Sequence, residues 1–90
     1  YYKAGEYGIR IENLVLVVPA PLADAEQPML AFETITLAPI DKTLIDAALM
    51  SPAEIAWFNA YHADVFTKLA HSVTDEELDW LRSATGPLAI

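Results

Sequence analysis

The stretch Gly8–Val18, GIRIENLVLVV, decides how the first part of the chain folds and raises the question of its function. Its Ile, Leu and Val residues are typical of a β-strand, yet Arg10 and Glu12 lie near its start. Burying a lone charge is costly, so charges within a covered strand are paired, bound to metal or face a cavity. Arg10 and Glu12 are therefore the first candidates for function.

The alternation of side chains extends this stretch into a predicted strand over Ile9–Val18, with Arg10, Glu12 and Leu14 on one face. Both faces are largely apolar, which predicts that the strand is covered on both sides. Three prolines in PAPLADAEQP, residues 19–28, predict a loop because proline breaks regular structure. The run MLAFETITL, residues 29–37, favours a second strand.

The rest of the chain has the character of helices. We predict a short helix over residues 42–50 and a longer one that begins at SPAE, residues 51–54, and ends near Ser72. A third helix begins at TDEE, residues 74–77, and ends near Ala84, before Gly86 and Pro87. The long helix carries an apolar stripe at helical spacing, made of Ile55, Phe58, Tyr61 or His62, Val65 and Leu69.

Composition and charge restrict the possible partners. The 90 residues suit one small domain or a piece of a larger one, and a hydrophobic fraction of 54% predicts a folded chain. The chain has no cysteine for a disulfide or thiolate metal site. A net charge of −8 argues against binding to nucleic acid or anionic lipid, and no apolar run has the length of a membrane span.

The candidate residues taken one by one favour structural roles. Glu12 suits a metal ligand, a general base or half of an ion pair, and alternation alone favours a pair with Arg10. No second carboxylate or histidine lies near Glu12 in the sequence, so a self-contained metal site is not expected. His62 and His71 lie too far apart on one predicted helix to chelate a metal together, and Ser51 and Thr74 are explained as helix caps.

Four segments together resemble the C-terminal end of cytosolic-type aminopeptidase P, the Xaa-Pro aminopeptidase group of the M24 metallopeptidases. These segments are GIRIENLVLVVP, FETITLAPID, SPAEIAWFNAYHADV and LDWLRSATGPL. The resemblance implies an α+β chain in which residues 1–37 form the last strands of a pita-bread catalytic domain. Residues 38–90 would then form a small helical extension.

The resemblance also implies roles for both charged residues. Glu12 matches a metal ligand that bridges two divalent ions, with manganese expected and zinc or cobalt as alternatives. Arg10 matches a residue that holds a ligating carboxylate by charge-assisted hydrogen bonds. The family's two Asp, one His and other Glu ligands would precede Tyr1, so we expect this chain alone to be inactive.

For the complete enzyme, the resemblance implies hydrolysis of the N-terminal residue from peptides with proline in second position. It further implies a cytoplasmic homodimer that binds neither nucleic acid nor membrane. The start at Tyr1 and the presence of Glu12 favour a fragment of such a metallopeptidase. Two alternatives stay open: a stand-alone interaction or dimerisation module, which the short chain favours, and an M24 relative without peptidase activity.

Overall fold

The computed structural model describes residues 2–23 and 26–88, and the chain divides into two compact units. The first unit is Tyr1–Thr36 and the second is Leu37–Ile90. Each unit has its own secondary structure: strands in the first and helices in the second. The chain is therefore α+β, as the sequence predicts.

The first unit contains an antiparallel strand pair. Strand β1, Val15–Pro19, pairs with β2, Leu30–Thr34, in a register that sets Val15 opposite Thr34 and Pro19 opposite Leu30. β-branched and aromatic side chains favour this extended backbone. Beyond the strand ends, the Ala20 N–H donates to the Met29 carbonyl at 2.9 Å. The proline-rich segment joins the two strands as predicted, although its residues 24 and 25 lie outside the described part of the chain.

Both strands are shorter than predicted, and the first loses most of its length at its start. Residues 9–13 lie before β1 and have no strand partner in the described residues, and Leu14 is joined to Ile35 by one backbone hydrogen bond. A strand needs a neighbour to satisfy its backbone groups, and alternation alone does not reveal where pairing stops. The predicted cover over both faces is also absent from the described residues, since Leu16 and Val17 of β1 and Phe32 of β2 are exposed.

The second unit is helical, with helix α1 over Pro52–Leu69 and α2 over Asp75–Ala84. Each begins with a capping box: Ser51 with Glu54, and Thr74 with Glu77. Both helices therefore begin where the sequence predicts. A 3-10 turn at Ala70–Ser72 follows α1, so the predicted end near Ser72 includes this turn.

The short helix predicted over residues 42–50 is wrong in extent. A single 3-10 turn, Ala47–Leu49, forms there instead, and the Asp46 carboxylate caps it by accepting the Ala48 N–H. Before this turn, the Thr43 N–H donates to the Asp41 carboxylate and the Ile45 N–H donates to the Lys42 carbonyl, so local turns use the backbone groups that a regular helix would need.

The core of the second unit lies on the predicted stripe of α1. The buried residues of this helix are Ile55, Phe58, Tyr61, His62 and Val65. Leu81 of α2 joins Tyr61 and Val65 in one cluster, and Leu37, Ile40, Phe66, Leu69 and Val73 pack against it. The stripe is therefore confirmed as the face around which the helical unit is built.

A candidate metal-ligating segment

Glu12 and Arg10 lie in the segment before β1 and form an ion pair. Arg10 Nη2 lies 2.6 Å from Glu12 Oε1, and the two side chains are 63% and 62% exposed. The guanidinium also lies over the ring of Tyr2, 5.7 Å from its centroid. The pair expected from alternation is therefore present, but at this exposure it contributes only about 0–1 kcal/mol to stability.

The backbone just after Glu12 is fixed more firmly than the side-chain pair. The Leu14 carbonyl accepts the Ile35 N–H at 2.9 Å, and the Leu14 N–H donates to the Thr36 hydroxyl at 2.7 Å. Both backbone polar groups of Leu14 are thus held by the chain that follows β2. Sequence reasoning missed Thr36, because its role depends on the strand register.

Asn13, next to Glu12, carries a buried donor that the described residues leave unsatisfied. Its side-chain Nδ2 is shielded from solvent and has no hydrogen-bond partner among them. Buried amide groups nearly always have a hydrogen-bond partner in the protein or in ordered water. The Asn13 amide is therefore a free donor within the described residues next to Glu12.

The donor set of this chain suits one ligand of a metal site rather than a whole site. A carboxylate oxygen is a ligand that hard divalent cations prefer, and the exposed Glu12 side chain can offer one. Within residues 2–23 and 26–88, no group of three or more His, Cys, Asp or Glu is arranged to hold a metal ion. The described residues around Glu12 therefore offer one carboxylate ligand and no complete metal site.

The two histidines belong to the helical unit. His62 is fully buried, and its Nε2 accepts the Ile40 N–H at 2.9 Å. Burial of the ring lowers the pKa of His62, and the positive charge of Lys42 lowers it further, while the backbone of Gly86 opposes both. His71 lies exposed in the 3-10 turn after α1. The structural interpretation fits both residues.

The segment after β2 is tied to the helical unit by three side chains. The Tyr61 hydroxyl donates to the Ala38 carbonyl at 2.7 Å and accepts the Ala38 N–H at 3.3 Å. His62 holds Ile40, and Lys42 Nζ donates to the Ser83 and Gly86 carbonyls at 3.1 Å each. These bonds order residues 38–42 on the helices.

The aromatic residues of the two helices divide between core and surface. Phe58 and Tyr61 are buried, whereas Trp57 and Trp80 are about half or more exposed. Trp57 stacks on Tyr61 with 5.6 Å between ring centroids. Tyr2 and Tyr7 are exposed, and Tyr1 lies outside the described residues. The described residues also contain no helix long and apolar enough to span a membrane.

Comparison with known proteins places this geometry in a family. The protein-family model described as the C-terminal region of peptidase M24 matches residues 28–88, which include β2 and both helices. The chain belongs to this family. The resemblance found in the sequence is thereby confirmed.

Individual M24 relatives match nearly the whole chain. The probable Xaa-Pro aminopeptidase P of Tuber melanosporum is 40% identical over 98% of this chain, and that of Arthroderma gypseum is 42% identical over 98%. A solved structure, the X-prolyl aminopeptidase of Caenorhabditis elegans, is 36% identical with a TM-score of 0.79 over 98% of this chain. That protein is described as a cytosolic enzyme with a di-nuclear active site.

The chain corresponds to a small part of these relatives. It spans 15% of the Tuber melanosporum protein, 14% of the Arthroderma gypseum protein and 15% of the Caenorhabditis elegans chain. The region matched by the family model is by its description C-terminal. Most of the length of an M24 aminopeptidase of this type therefore lies outside these residues.

Proposed function

We propose that this chain serves as the C-terminal part of a dinuclear metalloaminopeptidase that removes the N-terminal residue from Xaa-Pro peptides. The observation that carries the proposal is Glu12. Its exposed carboxylate lies on a fixed segment of a chain that matches Xaa-Pro aminopeptidases over 98% of its length. Residues 1–37 contribute strands to the catalytic domain, and residues 38–90 form a helical extension of it.

In the proposed enzyme, Glu12 would serve as a carboxylate ligand of the metal pair. The metal pair, which we propose to be manganese, with zinc or cobalt as alternatives, would supply Lewis-acid chemistry for peptide hydrolysis when bound. Arg10 holds a ligating carboxylate in place by charge-assisted hydrogen bonds, as its contact with Glu12 Oε1 illustrates. Asn13 donates its buried amide to an acceptor contributed by the rest of the enzyme.

The test removes the charge of the ligand without changing its shape. In the complete polypeptide that contains this chain, Glu12→Gln is expected to lose bound metal and to hydrolyse an Xaa-Pro dipeptide more than about 100-fold more slowly. Metal content per chain is measured by mass spectrometry on the same sample as the activity. Glu76→Gln, which makes the same charge change at an exposed position of α2, is the matched control.

The outcomes separate the competing interpretations. Two metals and hydrolysis in the wild type, both lost in Glu12→Gln, support the proposal. Metal binding without hydrolysis of any Xaa-Pro peptide identifies an M24 relative without peptidase activity. A wild-type polypeptide that binds no metal identifies an interaction module and overturns the proposal.

We further propose that the complete enzyme is a cytoplasmic homodimer. The exposed Trp57 and Trp80 of the helical unit support association, because large exposed aromatic side chains are common in interfaces. The cytosolic description of the Caenorhabditis elegans enzyme supports the compartment. Light scattering of the complete polypeptide tests the dimer, and cell fractionation tests the compartment.

A further inference from the structure

We infer that Thr36 is a positioning residue for Glu12: its hydroxyl fixes the backbone from which this ligand projects. The inference rests on the proposed function, because it takes Glu12 to be a metal ligand. Thr36 lies 24 positions after Glu12 in the sequence. Its role as a positioning residue does not require it to bind a metal ion. The geometry that carries the inference lies entirely within the first unit.

The strand register shows that the Thr36 hydroxyl replaces a backbone acceptor. Continuing the pairing of Val15 with Thr34 by one step sets Leu14 opposite Ile35. In an antiparallel ladder, a hydrogen-bonded pair exchanges two N–H to carbonyl bonds. Here the Ile35 N–H donates to the Leu14 carbonyl, but the Leu14 N–H donates to Thr36 Oγ1 at 2.7 Å. The side chain therefore terminates the ladder at this pair.

The ladder ends at Leu14, two residues after the proposed metal ligand Glu12. Both peptide groups of Leu14 are held, so the orientation of the chain leaving β1 toward Glu12 is set at that point. Threonine suits this position because its branched Cβ restricts χ1, which directs the hydroxyl with little loss of entropy. Without the hydroxyl, the Leu14 N–H loses its partner and the segment that carries Glu12 gains freedom.

The experiment is a set of variants in the complete polypeptide, with metal affinity as the main readout. Thr36→Val keeps the shape and removes the acceptor, so it is expected to weaken binding of the metal pair about 10-fold, a typical effect of losing an outer partner. We expect kcat to fall with little change in KM, because the substrate contacts are untouched. Thr36→Ser, which restores the hydroxyl, is expected to recover most of the affinity.

Thr34→Val is the matched control, since Thr34 lies on β2 two residues earlier and makes no side-chain hydrogen bond in the described residues. It is expected to leave metal affinity unchanged. The unfolding temperature of metal-free protein is measured for each variant, and a merely structural role would lower it in proportion to the loss of affinity. Thr36→Ala, which removes the same hydroxyl without adding a methyl group, covers the case in which Thr36→Val fails to fold.

Three results overturn the inference or its basis in distinguishable ways. Wild-type metal affinity in Thr36→Val or Thr36→Ala refutes the positioning role while Glu12→Gln still loses metal. Equal losses in Thr36→Val and Thr34→Val refute it as well, because the effect then belongs to the sheet as a whole. Retention of both metals in Glu12→Gln overturns the proposed function itself.

Discussion

At the scale of single residues, His62 shows how one hydrogen bond fixes a charge state. The ring is fully buried, and its Nε2 accepts the Ile40 N–H, so the proton of the neutral ring lies on Nδ1. A second proton would remove the acceptor and place a positive charge in the core near the ammonium group of Lys42. The folded chain therefore holds His62 neutral, and its pKa is lowered.

This lowered pKa predicts a loss of stability in mild acid. The unfolded chain takes up a proton near pH 6.5, the ordinary His value, while folded His62 stays neutral to lower pH. Stability is thus complete above pH 6.5 and falls as the pH drops through the folded pKa, by at most about 1.4 kcal/mol per pH unit for one proton. Urea unfolding at pH 7.5, 6 and 5 measures this.

The exposed histidine provides the matched control for this experiment. In His62→Gln the decline between pH 7.5 and 5 is expected to flatten, because the titrating group is gone, although the variant is less stable throughout. In His71→Gln the decline is expected to persist, since His71 is exposed. An unchanged decline in His62→Gln would mean that other groups produce it.

At the scale of elements, the two helices are specified locally and the strands are not. Each helix begins with a reciprocal pair of hydrogen bonds between residues three apart, as in the Ser51 and Glu54 box. At the end of α2, the Thr85 hydroxyl donates to the Leu81 carbonyl four residues earlier at 2.7 Å. The end of each strand, by contrast, depends on where the neighbouring strand ends.

Removing the cap of either helix is expected to destabilise the second unit. Ser51→Ala and Thr74→Ala each leave an N–H of the first turn without its side-chain acceptor, at a cost of about 1 kcal/mol. The double variant should lose the sum, because the caps belong to different helices. Ser72→Ala, at a position with no side-chain hydrogen bond in the described residues, is the control. Thermal unfolding followed by circular dichroism gives the comparison.

The same contrast explains what the sequence could predict. The helix starts and the buried stripe of α1 follow from caps and spacing, so they were predicted correctly. The strand over residues 9–14 was predicted wrongly, because apolar alternation persists where the partner strand has ended. The Thr36 contact with Leu14 and the His62 contact with Ile40 each join residues 22 positions apart. No local pattern reports such contacts.

At the scale of the whole molecule, the two units differ in how far they bury their apolar residues. The helical unit has a buried cluster, whereas the strand pair leaves Leu16, Val17, Leu30 and Phe32 about half or more exposed. Exposed apolar strands with open edges are templates for pairing with another chain. The strand unit therefore has the properties of a surface that is normally covered.

We therefore predict that the 90-residue chain self-associates through its strands when produced alone. Phe32→Lys, which charges an exposed position of β2 opposite Val17, is expected to raise the monomer fraction in light scattering at high concentration. Leu49→Lys makes the matched change at an exposed position of the helical unit and should have little effect. A monomeric wild-type chain contradicts the prediction, and a stronger effect of Leu49→Lys assigns the association to the helical unit instead.

The hydrogen bond between Ile40 and His62 offers a way to measure, inside a larger enzyme, whether the helical unit is folded. Because the Ile40 N–H is held by a buried imidazole, its hydrogen exchanges with solvent deuterium only after residues 38–42 leave helix α1. The exchange rate of that one amide gives the free energy of this local opening, separately from global unfolding. A single peptide carrying Ile40 in an exchange experiment thus reports whether the helical unit is assembled, even where catalysis is absent.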